Sequence, residues 1–292
     1  MNSVHPVVFE RCLLAEGPRW HHGHGRIYWT DILAGKLFWH DPVTGGHGCF
    51  YTGEPVGGFS FNHDGGLVLF RVRDVCWIDF DGNIQAVQPI ELEGMQRFND
   101  VIAAPDGSIF AGTIGCTAAS GGLYHFQMDG RVSRLVTGTG CANGMGFAPD
   151  RSVFYWTCST TRRIYAFDYK KGEVQVAGRR LLYQAPAEEG IPDGMAVDCD
   201  GIIWSARWDG FQLVRIDASG KKLGALHLPR ARVSSACFGG PLLDSLYITI
   251  ASADGPEENA DQCLFEWKAG AVRGNEDFVS ALDPSRKFRI AD

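Results

Sequence analysis

Two observations in this 292-residue sequence predict an all-β protein built as a six-bladed β-propeller. Short runs rich in aromatic and β-branched residues return at a near-constant interval, and no long amphipathic helical pattern separates them. The runs are Arg26–Ile32, Gly66–Phe70, Ser108–Thr113, Ser152–Thr157, Gly201–Ala206 and Ser245–Ile250, mostly preceded by Asp-Gly, Pro-Asp or Leu-Asp-Ser turns. With Ile27, Leu67, Ile109, Val153, Ile202 and Leu246 as anchors, the spacings are 40, 42, 44, 49 and 44 residues. A period of this length with several strands per unit is the mark of propeller blades.

Each unit continues in the same way. A further strand follows the anchor, as in Lys36–His40, Gly122–Phe126, Arg163–Phe167 and Gln212–Ile216, then a turn and a weaker strand. A helical array or a βα-barrel would need helices between these strands, and none is legible. Six units fill the chain, so one propeller domain over residues 1–292 is expected. The N-terminal run Val7 to Leu14 is expected to pair with the last blade and close the ring.

The bulk properties exclude several classes of function. A formal net charge of −7 offers no basic stripe for nucleic acid and no attraction to an anionic membrane. No apolar run approaches the roughly 18 residues that span a bilayer, and Met1 to Arg11 lacks a basic stretch followed by an apolar one. The nine cysteines are scattered, odd in number and without a CxxC pair. They read as reduced core thiols of a cytoplasmic protein, with a small molecule as the expected partner.

One polar position recurs within the repeat. Glu16, Asn99, Asn143 and Asp193 precede their anchors by 11, 10, 10 and 9 residues. The matching stretches of the other two units, Val56-Gly-Gly58 and Ser234-Ser-Ala236, are small. This position is expected to precede the innermost strand, where a propeller presents side chains to its axial channel. Taken singly, Glu16-Gly-Pro and Asn143-Gly are turn signals. The shared offset instead describes a cage of oxygens with an open side.

Such a set suits one hard divalent cation, calcium first, with magnesium, manganese or zinc as alternatives. A glycine directly after Glu16, Asn143 and Asp193 permits a turn and close approach. Arg97 lies two residues before Asn99, on the same strand face, placed to clamp a hydroxyl-rich or anionic substrate or to form a surface ion pair. His21, His22 and His24 read as a solvated hairpin. Trp208 and Asp209 read as a turn with a packing aromatic.

With those residues in hand, the chain resembles the regucalcin and gluconolactonase family of sugar lactonases, from about Val7 to the 260s. The carrying segments are Ala15–Trp20, Arg97–Asp100, Phe110–Thr113, Gly122–Tyr124, Asn143–Met145, Ile191–Met195 and Cys237–Gly240. The resemblance implies a six-bladed propeller with a divalent ion held at Glu16, Asn143 and Asp193. It implies substrate or metal-bound water at Asn99, substrate at Arg97, and Asp193 as catalytic base. Two departures are visible. The loop Ile114 to Gly121 is short and lacks the family's substrate-binding glutamate. Gly57-Gly58 replaces bulkier residues, which is expected to enlarge the cavity.

The expected function is therefore metal-dependent hydrolysis of sugar lactones to aldonic acids. A metal-dependent phosphotriesterase using the same cage, or a non-enzymatic calcium-binding propeller, are the alternatives; Arg97 favours the sugar.

Overall fold

Six β-sheets of four or five strands form the blades of a propeller in the computed structural model, which describes residues 3–170, 173–252 and 261–291. Blades 1 to 5 start at residues 15, 58, 95, 142 and 191, and the first four strands of each run outward in chain order through antiparallel neighbours. The anchors are the first or second residue of the second strand of each blade, or directly precede it in the case of Ile202. The polar position thus lies on the innermost strand itself, not before it. The sequence period locates the blade but leaves the strand order within it undetermined. Among the described residues there is no α-helix, only the 3₁₀ turns His22–His24 and Ala187–Glu189.

Blade 6 is shared between the chain's ends. Its three inner strands come from residues 233–268, and its outermost is His5–Phe9, antiparallel to Gln262–Lys268. The expected closing strand is real but ends at Phe9. Leu13 and Leu14 instead donate their N–H groups to the Asp31 carboxylate of blade 1 at 2.8 and 2.9 Å.

Neighbouring blades are joined close to the channel. Thr30 Oγ1 donates to Val56 O at 3.1 Å, linking blades 1 and 2, and Asn99 Nδ2 donates to Ala142 O at 2.9 Å between blades 3 and 4. Ser234 Oγ donates to Ala15 O at 2.5 Å, joining blade 6 to blade 1. The Asp100 N–H reaches Gly57 O at 2.9 Å. A Cβ at Gly57 would lie 2.0 Å from Phe98 O, and one at Gly58 2.8 Å from a Val101 methyl. These two glycines therefore let blade 2 close on blade 3; they do not enlarge the cavity.

The side chains between blades make the core. Phe98 is fully buried against Phe70 and Phe126, edge to face, while its neighbour Asn99 turns to the channel, as strand alternation requires. Burying one such ring contributes about 1.5–3 kcal/mol. The C-terminal segment crosses the far end of the propeller. Gly274 bridges Asp198, Ser280 bridges Asn62, and Arg289–Ile290 adds a parallel fifth strand to blade 3.

Candidate active site

A β-bulge lies directly after, or at, each of the four oxygen-bearing positions. Glu16 pairs with Thr30 and the next pair is Arg19 with Tyr28; Asn99 and Asn143 are each followed by one skipped residue. In blade 5 the skipped pair is Asp193 and Gly194 themselves. Bulges re-aim side chains and increase local twist, and here they turn consecutive strand starts toward one point. The glycines after the candidate ligands serve different ends. Gly17 has φ +53° with open space around it, so it supplies a turn. Gly144 supplies close approach, since a Cβ there would lie 2.4 Å from Asp193 O. In blade 3 the left-handed position is taken by Asp100, φ 52°.

Glu16, Asn99, Asn143 and Asp193 are all at least nine-tenths buried. Arg97 donates from Nη1 to Asn99 Oδ1 at 2.8 Å and to Phe98 O at 2.9 Å. Asn143 donates from Nδ2 to Ser159 Oγ at 3.1 Å, and Ser159 Oγ donates to Pro192 O at 2.6 Å. Glu16 Oε2 accepts the Gly17 N–H at 3.1 Å. Asn143 Oδ1 and Asp193 Oδ1 are buried and meet no hydrogen-bond donor.

The electrostatics follow from burial. Desolvation pushes the Glu16 carboxyl well up, reinforced by Asp193 and Asp100 and opposed by the Gly17 N–H and Arg97. Asp193 is raised by desolvation and then by Asp100, with Asn143 and Arg97 opposing. Burial lowers Arg97, opposed by Cys141, Glu16 and Asp193. Burial also lifts the Cys141 thiol to about 12, so it is neutral at pH 7. Like-charged, buried carboxylates beside orphaned oxygens are what a divalent cation relieves. The donor set of two carboxylates and a carboxamide fits such an ion. Among the described residues, no three His, Cys, Asp or Glu side chains cluster as a metal site, here or elsewhere; the third donor of this set is a carboxamide.

The structure thus brings Glu16, Arg97, Asn143 and Asp193 into one electrostatic neighbourhood, with Asn99 hydrogen-bonded to Arg97. It gives the other candidates partners of their own. His21 and His24 stack on each other at 3.8 Å and pack on Phe61 and Phe80. Arg232 pairs with Asp209 at 3.5 Å and covers Trp208. The short loop after Ile114 is tied down by Gly94 O, which accepts from Cys116 N and Ser120 Oγ, both at 2.9 Å. Sequence reasoning missed Ser159 and Cys141. Ladder register sets Ser159 opposite Cys141, its N–H reaching Cys141 O at 3.1 Å, while Asn143 pairs with Thr157; no sequence motif marks this.

A cavity of about 300 Å³ lies on the other side of this cage, lined by Arg19, Asp100, Met145, Phe147 and Asp277 among others. Arg19 spans it, donating to Phe59 O at 3.0 Å and to Val101 O and pairing with Asp277 at 3.6 Å.

Fold and site together define a six-bladed propeller with buried oxygen-bearing side chains on the innermost strands of four blades. Residues 14–252 match the model of the SMP-30/Gluconolactonase/LRE-like region, and the chain belongs to that family. It is 42% identical over 253 residues to pentonolactonase XacC of Haloferax volcanii, covering 87% of each chain. It is 30% identical over 259 residues to regucalcin of Oryctolagus cuniculus, covering 85% of this chain and 87% of the relative. Among solved structures, a luciferin-regenerating enzyme superposes with a TM-score of 0.84 at 22% identity, covering 97% of this chain and 100% of the other. A calcium-binding regucalcin from Agrobacterium tumefaciens gives 0.83 at 20% identity, covering 96% and 98%. These two likenesses concern the fold.

Proposed function

We propose that this protein is a metal-dependent lactonase that hydrolyses sugar lactones to aldonic acids, in the cytoplasm, as one propeller domain over residues 1–292. The observation that carries the reading is the pair of buried, unpartnered oxygens on Asn143 and Asp193 beside the raised Glu16 carboxyl. The 42% identity to a pentonolactonase supports the substrate class. Glu16, Asn143 and Asp193 hold one divalent ion, with calcium favoured by the oxygen donors over magnesium, manganese or zinc. When bound, that ion polarises the lactone carbonyl and offsets charge on the oxyanion.

The chain's own groups do the rest. Asp193 accepts a proton from the attacking water, whose oxygen bonds to the carbonyl carbon. The ring C–O bond breaks, and the departing ring oxygen takes up that proton as a hydroxyl. Arg97 and Asn99 hold substrate oxygens at the mouth. A guanidinium there favours a hydroxyl-rich lactone over an apolar phosphotriester. The test is a hydrolysis screen of five- and six-membered aldonolactones on chelator-stripped protein with each metal restored. Metal-stimulated turnover of an aldonolactone is expected; metal binding with no lactone turned over would leave a binding protein.

A further inference from the structure

We infer that Ser159 is a positioning residue that fixes which end of the Asn143 carboxamide faces the channel; this rests on the metal reading above. A carboxamide turned by 180° occupies nearly the same volume, so packing alone does not choose between its oxygen and its nitrogen. Hydrogen bonding does. Ser159 Oγ donates its single hydrogen to Pro192 O at 2.6 Å and therefore meets Asn143 only as an acceptor, taking Nδ2–H at 3.1 Å. Cys141 Sγ accepts weakly from the same nitrogen at 3.7 Å. Turning the amide over would press Oδ1 against Ser159 Oγ, which has no hydrogen left to give, and would take Nδ2–H away from that acceptor. The relay from Asn143 through Ser159 to Pro192 leaves Oδ1 buried, unpartnered and free for a ligand.

The same hydroxyl sets a distance. Pro192 directly precedes Asp193, so Ser159 ties the side chain of blade 4's candidate ligand to the backbone that carries blade 5's. One serine thereby couples two donors from different blades. Groups that orient metal ligands are worth about 10–100-fold in metal affinity. Asn99 is fixed without a serine: its nitrogen reaches Ala142 O at 2.9 Å, and its oxygen is held by Arg97 and so is not free as that of Asn143 is.

The experiment compares wild type, Ser159→Ala, Ser159→Thr and Asn143→Ala, each stripped by chelation and titrated separately with calcium and manganese by calorimetry. Ser159→Ala should bind the ion it shares with wild type about 10–100-fold more weakly. Ser159→Thr keeps the hydroxyl and should stay within about 3-fold of wild type. The melting temperatures of the metal-free proteins should agree within a few degrees, which separates positioning from packing. With metal in excess, the lactonase rate of Ser159→Ala should recover, because its loss lies in occupancy. Undiminished metal binding by Ser159→Ala would overturn the inference, as would a Ser159→Thr as weak as the alanine. If wild type and Asn143→Ala titrate alike, the metal reading itself falls and takes this inference with it.

Discussion

Arg97 donates to the carboxamide oxygen of Asn99 at 2.8 Å, while the corresponding oxygen of Asn143 meets no donor. Two asparagines at one place in the repeat are thereby set to different tasks. Asn143→Ala should weaken metal binding by about 100-fold, the upper end for ligand-shell changes. Asn99→Ala should leave metal binding within about 3-fold and raise KM more than it lowers kcat, since it loosens the substrate clamp. Calorimetry and steady-state kinetics on the two variants check this, and equal metal defects would reject it.

Asp193→Asn keeps an oxygen of nearly the same size and removes the carboxylate that takes the proton. Lactone hydrolysis should fall by about 10²–10⁴-fold even at saturating metal. The assay must subtract spontaneous lactone opening at each pH. Near wild-type turnover by the metal-saturated variant would assign Asp193 to binding alone.

Gly144→Ala tests the contact between blades 4 and 5. Its Cβ would stand 2.4 Å from Asp193 O and 2.9 Å from the Gly194 carbonyl carbon, both backbone atoms that cannot turn aside. A cost of about 1–3 kcal/mol is expected, with weakened metal binding because the displaced backbone carries Asp193. Gly23→Ala, where the nearest atom is a His21 side-chain carbon at 3.4 Å, is the matched control and should be near neutral. Denaturant melts of both variants decide it.

His125 predicts an acid limb to stability. Burial lowers its pKa from 6.5 to about 4, with the ring stacked on Phe110 and Nε2 bonded to Ser108 Oγ at 2.7 Å. The unfolded chain takes up a proton near 6.5 and the folded chain does not. The stability this group contributes is therefore present above pH 6.5 and is lost as pH falls from 6.5 toward 4. Between pH 7.5 and 4.5, wild type should lose about 3–6 °C more in Tm than His125→Gln. Parallel pH profiles for the two proteins would reject this.

The blades and the four oxygen-bearing positions were legible because both follow the repeat, which residue counting detects. What counting cannot see is a bulge: the residues skipped after Glu16, Asn99 and Asn143, and at Asp193 itself, occupy sequence without advancing the ladder. The polar position was expected before the innermost strand because the anchors, taken as that strand, belong to the second strand of each blade. Gly57 and Gly58 misled for a related reason, since a missing side chain is equally consistent with open space and with a neighbouring backbone. The C-terminal crossing left no pattern at all. It is held by single remote groups, such as Trp77 Nε1 donating to Leu282 O at 3.2 Å and Gln88 Nε2 donating to Pro284 O at 2.6 Å.

The shared sixth blade has a consequence in time. Ser252 donates from Oγ to Cys12 O at 2.7 Å, and these residues stand 240 positions apart in the chain. At about 5–20 residues per second, the ribosome takes roughly 12–50 s to make the second after the first. Through that interval the strand His5–Phe9 has no native partner, because Gln262–Lys268 does not yet exist. Blades 1 to 5 draw their strands from contiguous stretches and can assemble as they emerge, apart from the late edge strand of blade 3. Completion of the ring therefore awaits synthesis of Gln262–Lys268, and the nascent chain must keep an apolar β-strand from pairing elsewhere until its partner arrives.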